Sequence, residues 1–207
     1  MRILPASCCK FAAMSNFHHL VSSRMPSKYG KLVMDAFESG NEEMPHIVLR
    51  NDGVKADVVN VRIHSECITG DLFGSLRCDC GEQLKSSLKY MEDHGGMLIY
   101  LRQEGRGIGL VNKLKAYNLQ DEGADTIEAN HQLGFETDLR RYDAAIAVLK
   151  HFGIQRIHLM TNNPEKLEAF ENSGIKIESR IPIVVTPVAD NERYLNTKKD
   201  GLGHLLG

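Results

Sequence analysis

The sequence has 207 residues, 42% of them hydrophobic and 25% charged, with a formal net charge of −2. That size and balance fit a globular chain with its own core, and they exclude a diffuse electrostatic footprint for nucleic acid or a membrane surface. No apolar run reaches the roughly 18 residues of a membrane span. The N-terminus also lacks the continuous apolar stretch of a signal peptide, so a cytoplasmic, reducing compartment is expected. An anionic substrate would have to be met by locally gathered Arg and Lys.

In chain order, residues 1–24 carry no periodicity and read as a loosely ordered N-terminal extension, in which Met14 offers a second start. Residues 29–39 and 46–52 read as strands, joined by the turn at 40–45. Residues 56–66 alternate, with Val59, Val61 and Ile63 on one face and Arg62 and His64 on the other. Residues 81–96 have helical spacing, with Leu84, Leu88 and Met91 as the apolar stripe and Gly95–Gly96 as the stop. A short buried strand is predicted at 97–101, followed by a helix whose stripe is read as Leu110, Leu114 and Tyr117.

Residues 129–143 are dense in polar groups and read as loop. Residues 143–153 carry Ile146, Leu149 and Phe152 in helical spacing, and 157–161 form a strand. A helix over 162–174 is capped by Asn163 with Pro164 at its first position. Residues 175–185 close as strand, and the polar, Gly-rich tail is expected to be partly mobile. Strands alternating with helices from about residue 57 predict an α/β class. The expected architecture is a layered α/β/α sandwich on a mixed sheet, with antiparallel strands at its N-terminal end.

The stretch "ECITGDLFGSLRCDCG" holds Cys67, Cys78 and Cys80. In a reducing compartment such clustering favours a metal over a disulfide. Three thiolates with a free fourth position suit a catalytic zinc site, whereas a fourth ligand from His64 or Asp79 would close a structural one. Spacing leaves both open, together with packed or redox-active thiols. Cys8 and Cys9 read as incidental.

Two polar strand–helix junctions follow. "RQEGRGIGL" (102–110) has glycines that let backbone approach an anion, and Arg106 as a bidentate donor. "MTNNPEKL" (160–167) brings Thr161 and Lys166 to a capped helix start. Each alone could be a plain turn, but both lie at strand ends, where α/β sheets bind ligands. From spacing alone, His131 reads as a loop histidine, Asp138 and Arg140 as a surface ion pair, and Tyr117 as core.

Together "RIHSECITGD", "SLRCDCGEQL", "RQEGRGIGL", "KAYNLQDEGADTIEANHQLGF", "DLRRY" and "LMTNNPEK" occur in an order and at separations that closely resemble GTP cyclohydrolase II, from about residue 25 to the terminal "GHLLG". The resemblance implies a catalytic domain over 25–207, in the monofunctional form. It implies one zinc per subunit on Cys67, Cys78 and Cys80. It also implies GTP contacts from Arg62, Ile63, His64, Ser65, Glu66, Gln83, Glu104, Gly105, Arg106, Thr126, Thr161 and Lys166.

Asp138 matches the family's proton acceptor, Arg140 its proposed nucleophile and Tyr117 a catalytic tyrosine. Magnesium with the GTP phosphates and a homodimer are implied as well. The implied reaction converts GTP to 2,5-diamino-6-(5-phosphoribosylamino)pyrimidin-4(3H)-one, formate and pyrophosphate, the first committed step of riboflavin biosynthesis. Because a guanidinium keeps its proton up to a pKa above about 12, Arg140 is either deprotonated by Asp138 or an electrostatic clamp. Glu66 and His64 are the candidates for moving protons at the zinc water. A zinc base deaminase is disfavoured, since it calls for H-x-E with P-C-x-x-C and the stretch here is C-x-C, with no P-C-x-x-C.

Overall fold

The computed structural model describes residues 17–39, 44–54, 57–188, 191, 194–195, 197–201 and 203–205. Its strands are β1 (Phe17–Ser27), β2 (Gly30–Ser39), β3 (His46–Asn51), β4 (Val59–Ser65), β5 (Met97–Leu101), β6 (Arg156–Met160) and β7 (Lys176–Ile181). They form one seven-stranded sheet in the order β1-β2-β3-β5-β4-β6-β7. The pairs β1–β2, β2–β3 and β3–β5 are antiparallel, whereas β5–β4, β4–β6 and β6–β7 are parallel. This is the expected mixed sheet with its antiparallel part at the N-terminal end.

The helices are α1 (Ile68–Asp71, a single turn), α2 (Cys80–His94), α3 (Gly109–Asp121), α4 (Thr126–Gln132), α5 (Asp143–His151) and α6 (Pro164–Glu168). Alternation in β4 decides how they pack. Val59, Val61 and Ile63 face one way and join Val148 and Leu149 of α5 in the larger apolar cluster. On the opposite face Leu98 and Met160 meet Leu84, Leu88 and Met91 of α2. Helices therefore cover both faces of the sheet, giving the α/β/α layering.

Four local readings differ from the structure. β1 begins at Phe17, inside the stretch read as a loose extension. Most of its side chains are exposed, so no alternating pattern marks it, and the backbone ladder to β2 holds it in place. Residues 1–16, with Cys8 and Cys9, lie outside the described residues. Helix α4 replaces part of the expected polar loop. Its Asp125 carboxylate accepts from the Ile127 and Glu128 amides, while Glu128 accepts from the Asp125 amide. The sequence D-T-I-E is a capping box and was the readable signal.

Helix α6 keeps its Asn163 cap but ends at Glu168, short of residue 174. Finally, α3 buries Lys113 and Ala116 and leaves Leu110 and Leu114 exposed, the reverse of the predicted stripe. The reason lies in the site.

Candidate metal and nucleotide site

The chain leaves β4 for β5 on one side and later returns to β6 on the other. That reversal makes β4 a switch point, and a crevice opens beyond the carboxyl ends of the parallel strands β4, β5 and β6. It is lined from the junctions after β4, β5 and β6.

Two glycines set the cysteine geometry. A Cβ on Gly81 would lie 2.3 Å from the Gly70 carbonyl oxygen, and one on Gly70 would lie 3.0 Å from the Cys78 sulfur. Without side chains there, α1, with Cys67 before it, packs directly against the start of α2, which carries Cys80. The Cys67 and Cys78 sulfurs are 3.6 Å apart, and the Sγ atoms of Cys67, Cys78 and Cys80 all lie within 4.8 Å of one another. Tetrahedral zinc with Zn–S near 2.3 Å places sulfurs about 3.8 Å apart, so the donor set fits this ion.

Neither candidate fourth ligand joins the cluster. Nε2 of His64 lies 3.0 and 3.1 Å from the two carboxylate oxygens of Asp71. Asp79 accepts from Lys198 at 2.6 Å and from Gln83 at 2.5 Å. Among the described residues the set is three sulfurs, which leaves the position that a catalytic site needs. Hydrogen bonds from Cys78 and Cys80, aided by the Lys113 charge, hold the Cys67 thiol far below its usual pKa. Its hydrogen bond to that sulfur raises Cys78 to about 11, and hydrogen bonds to Cys67 and Cys78, with burial, hold Cys80 well above its usual value. Binding of a divalent cation would take the remaining thiol protons from the cluster.

The ammonium of Lys113 explains the inverted α3. It lies 3.1 Å from the Cys67 sulfur and 2.7 Å from Glu104 Oε1. Glu104 also accepts from the Ile68 amide at 2.6 Å and the Gly105 amide at 2.8 Å. One helical turn on, the Tyr117 hydroxyl is 3.4 Å from that of Thr69, itself 3.7 Å from the Cys67 sulfur. Burial raises the Tyr117 pKa, so the phenol keeps its proton. Tyr117 thus lines the cleft and is not core.

The other side of the cleft gathers cations. Arg62 donates to the Met160 carbonyl at 3.0 Å and to Gln83 at 2.7 Å, while its Nε has no partner among the described residues. Burial lowers its pKa to about 10. Lys166 donates to the Ile63 carbonyl at 2.7 Å, and burial plus the charges of Arg62, Arg140 and Lys198 push its pKa well down. Gly105 and Arg106 adopt φ of 61° and 62°, a strained choice for an arginine. Buried Nη1 of Arg106 also has no partner among the described residues. Crowded positive groups with unused donors are what an anionic ligand would satisfy.

Arg140 also lines the cleft, held from behind by Asp138. Its Nε lies 2.8 and 3.0 Å from the two carboxylate oxygens, its Nη2 bonds there too, and its backbone amide donates at 3.0 Å. Burial opposes the charge, but Tyr142 and Asp138 outweigh it and hold the Arg140 pKa above its usual value. The pair read as a surface pair is partly buried in the cleft wall. Ser65, Glu66, Gln83, Glu104, Thr126 and Thr161 line the cleft; Asp138 does not. Ile63 packs its side chain in the core and offers only its backbone.

Sequence reading missed Gln103, Lys113, Asn130, Tyr194, Lys198 and His204, which also line the cleft. The last three come from the tail expected to be partly mobile.

The family model described as GTP cyclohydrolase II matches residues 18–182. A GTP cyclohydrolase-2 of Campylobacter hominis is 53% identical over 184 residues, covering 89% of this chain and 93% of the relative. Another, of Picrophilus torridus, is 51% identical and covers 89% and 96%. A riboflavin biosynthesis protein RibBA of Staphylococcus saprophyticus is 51% identical over 88% of this chain, which spans 46% of that longer relative. Half identity to full-length relatives, joined to a family match over most of the sequence, leaves one assignment: the chain belongs to the GTP cyclohydrolase II family.

Proposed function

We propose that this protein carries out the zinc-dependent hydrolysis of GTP to 2,5-diamino-6-(5-phosphoribosylamino)pyrimidin-4(3H)-one, formate and pyrophosphate, the first committed step of riboflavin biosynthesis. The observation that carries this reading is one cleft with three sulfurs at one side and four cations, Arg62, Arg106, Arg140 and Lys166, lining it too. Relatives named for GTP cyclohydrolase and for riboflavin biosynthesis support it. Zinc held by Cys67, Cys78 and Cys80 would supply a Lewis acid and a water of lowered pKa for opening the guanine imidazole ring.

The residues of the chain divide the remaining work. Burial lowers the His64 pKa and keeps the ring neutral. Its Nε2–H donates to Asp71, so Nδ1 is a lone pair, buried without a partner among the described residues. That arrangement favours His64 over Glu66 for handling protons, because Glu66 is engaged by Arg102 at 2.7 Å. Tyr117 keeps its proton and acts as a donor. The four cations offset charge as pyrophosphate leaves, with Mg²⁺ accompanying the phosphates. Asp138 keeps Arg140 protonated, which supports a clamp rather than a nucleophile. The chain works as a homodimer in the cytoplasm.

The test incubates purified protein with GTP, Mg²⁺ and Zn²⁺ and identifies products by mass. Formate, pyrophosphate and the diaminopyrimidine are expected; unaltered GTP would overturn the reading, and a product retaining the formyl group would overturn the formate step. Replacing Arg140 by Lys keeps the charge and loses the bidentate fork. Pyrophosphate release should fall on the order of 10²-fold, and normal release would remove the clamp.

A further inference from the structure

The family match ends at residue 182, yet Tyr194, Lys198 and His204 line the cleft from beyond it. The described residues of this C-terminal segment reach three of the elements that build the site. Nζ of Lys198 lies 2.6 Å from the carboxylate of Asp79, between Cys78 and Cys80 and 119 residues away in sequence. At Gly201 an added Cβ would lie 3.0 Å from Ile127 of α4, so the backbone sits close against that helix. Beyond it, the Leu205 amide donates to the Asn162 carbonyl at 2.8 Å, in the junction after β6. The segment also holds itself together. The His204 amide donates to the Lys198 carbonyl at 3.0 Å, and the Lys198 ammonium stands 4.6 Å from the Tyr194 ring centre.

The Lys198–Asp79 pair is buried on both sides. Buried pairs differ from surface pairs in that loss of one partner leaves an uncompensated charge. The pair also continues into the cleft. Gln83 donates to Asp79 at 2.5 Å and accepts from Arg62 at 2.7 Å. Lys198, Asp79, Gln83 and Arg62 thus form one run from the C-terminal segment to a cation of the site. His204 shares the cleft lining with Lys198, Arg140, Arg106 and Lys166.

We propose that Lys198 is a positioning residue that latches the C-terminal segment across the cleft through Asp79, so that Tyr194 and His204 form the wall enclosing bound GTP. The inference rests on the GTP reading above. The latch acts on substrate binding, because it positions a wall and leaves the three sulfurs in place.

Full-length wild type is compared with Lys198→Met, Lys198→Arg and, as a control at an exposed neighbour, Lys199→Met. The readouts are kcat and KM for GTP, zinc content, and protease cleavage of the C-terminal segment with and without a non-hydrolysable GTP analogue. In Lys198→Met, KM should rise roughly tenfold or more while kcat changes less than about threefold. Zinc content should hold, cleavage should speed up, and the analogue should no longer slow it. Lys198→Arg should recover most of the KM, and Lys199→Met should match wild type. An unchanged KM in Lys198→Met overturns the latch alone, and so does a loss confined to kcat. Loss of zinc along with the rise in KM would place Lys198 in support of the cysteine loop and also overturn it. A wild-type chain that takes up neither GTP nor the analogue overturns the GTP reading and the latch together.

Discussion

Helix α2 packs Leu84, Leu88 and the buried Met91 against Leu98 and Met160, as its apolar spacing requires, whereas α3, bordering the same cleft, leaves Leu110, Val111 and Leu114 at 37%, 67% and 46% exposure. In α3 the inward residue is Lys113, placed between a cysteine sulfur and a carboxylate. Apolar periodicity finds the helix face that meets a core. It misleads where the inward face meets a polar site, and local rules are expected to fail at such places. The inversion of α3 was therefore itself a sign of the site.

Substitutions along the two helices can break or sharpen this contrast. The largest effect is expected just before α2, where Cys78→Ser removes a sulfur of the cluster. Zinc content and formate release should be lost together, beyond the roughly 10- to 100-fold cost of removing an outer-shell partner. Formate assay with metal analysis checks this. Next comes Lys113→Met in α3, which strands Glu104; the two side chains are 10% and 8% exposed. Unfolding by urea should show a loss of about 3–5 kcal/mol, and competition with a chelator should show zinc held about 10- to 100-fold more weakly.

Met91→Ala, at 1% exposure in α2, should cost about 2–5 kcal/mol by the same unfolding measurement while leaving zinc affinity unchanged. Smallest is Leu114→Ala on the outer face of α3, expected within about 0.5 kcal/mol of wild type. If Leu114→Ala cost as much as Met91→Ala, the contrast between the helices would collapse.

The same contrast explains what could be read from the sequence. Alternation in β4 was legible because Val61 and Ile63 face a core while Arg62 and His64 face the other way. The Asn163–Pro164 helix start was legible because a cap is a local hydrogen bond. The cysteine spacing revealed a cluster, but only the engagement of His64 by Asp71 and of Asp79 by Lys198 shows that neither closes it. Asp138 and Arg140 could be paired from spacing; their burial could not be read, since it depends on packing from elsewhere in the chain. Lys198 was the least legible of all, because the partner that gives it meaning is 119 residues away.

The most direct measurement strips the protein of metal, restores zinc in steps, and follows formate released from GTP. The account predicts that formate release rises in proportion to bound zinc and levels off at a single ion per chain, with none from Cys78→Ser at any zinc level. Formate release by the metal-free chain would contradict it.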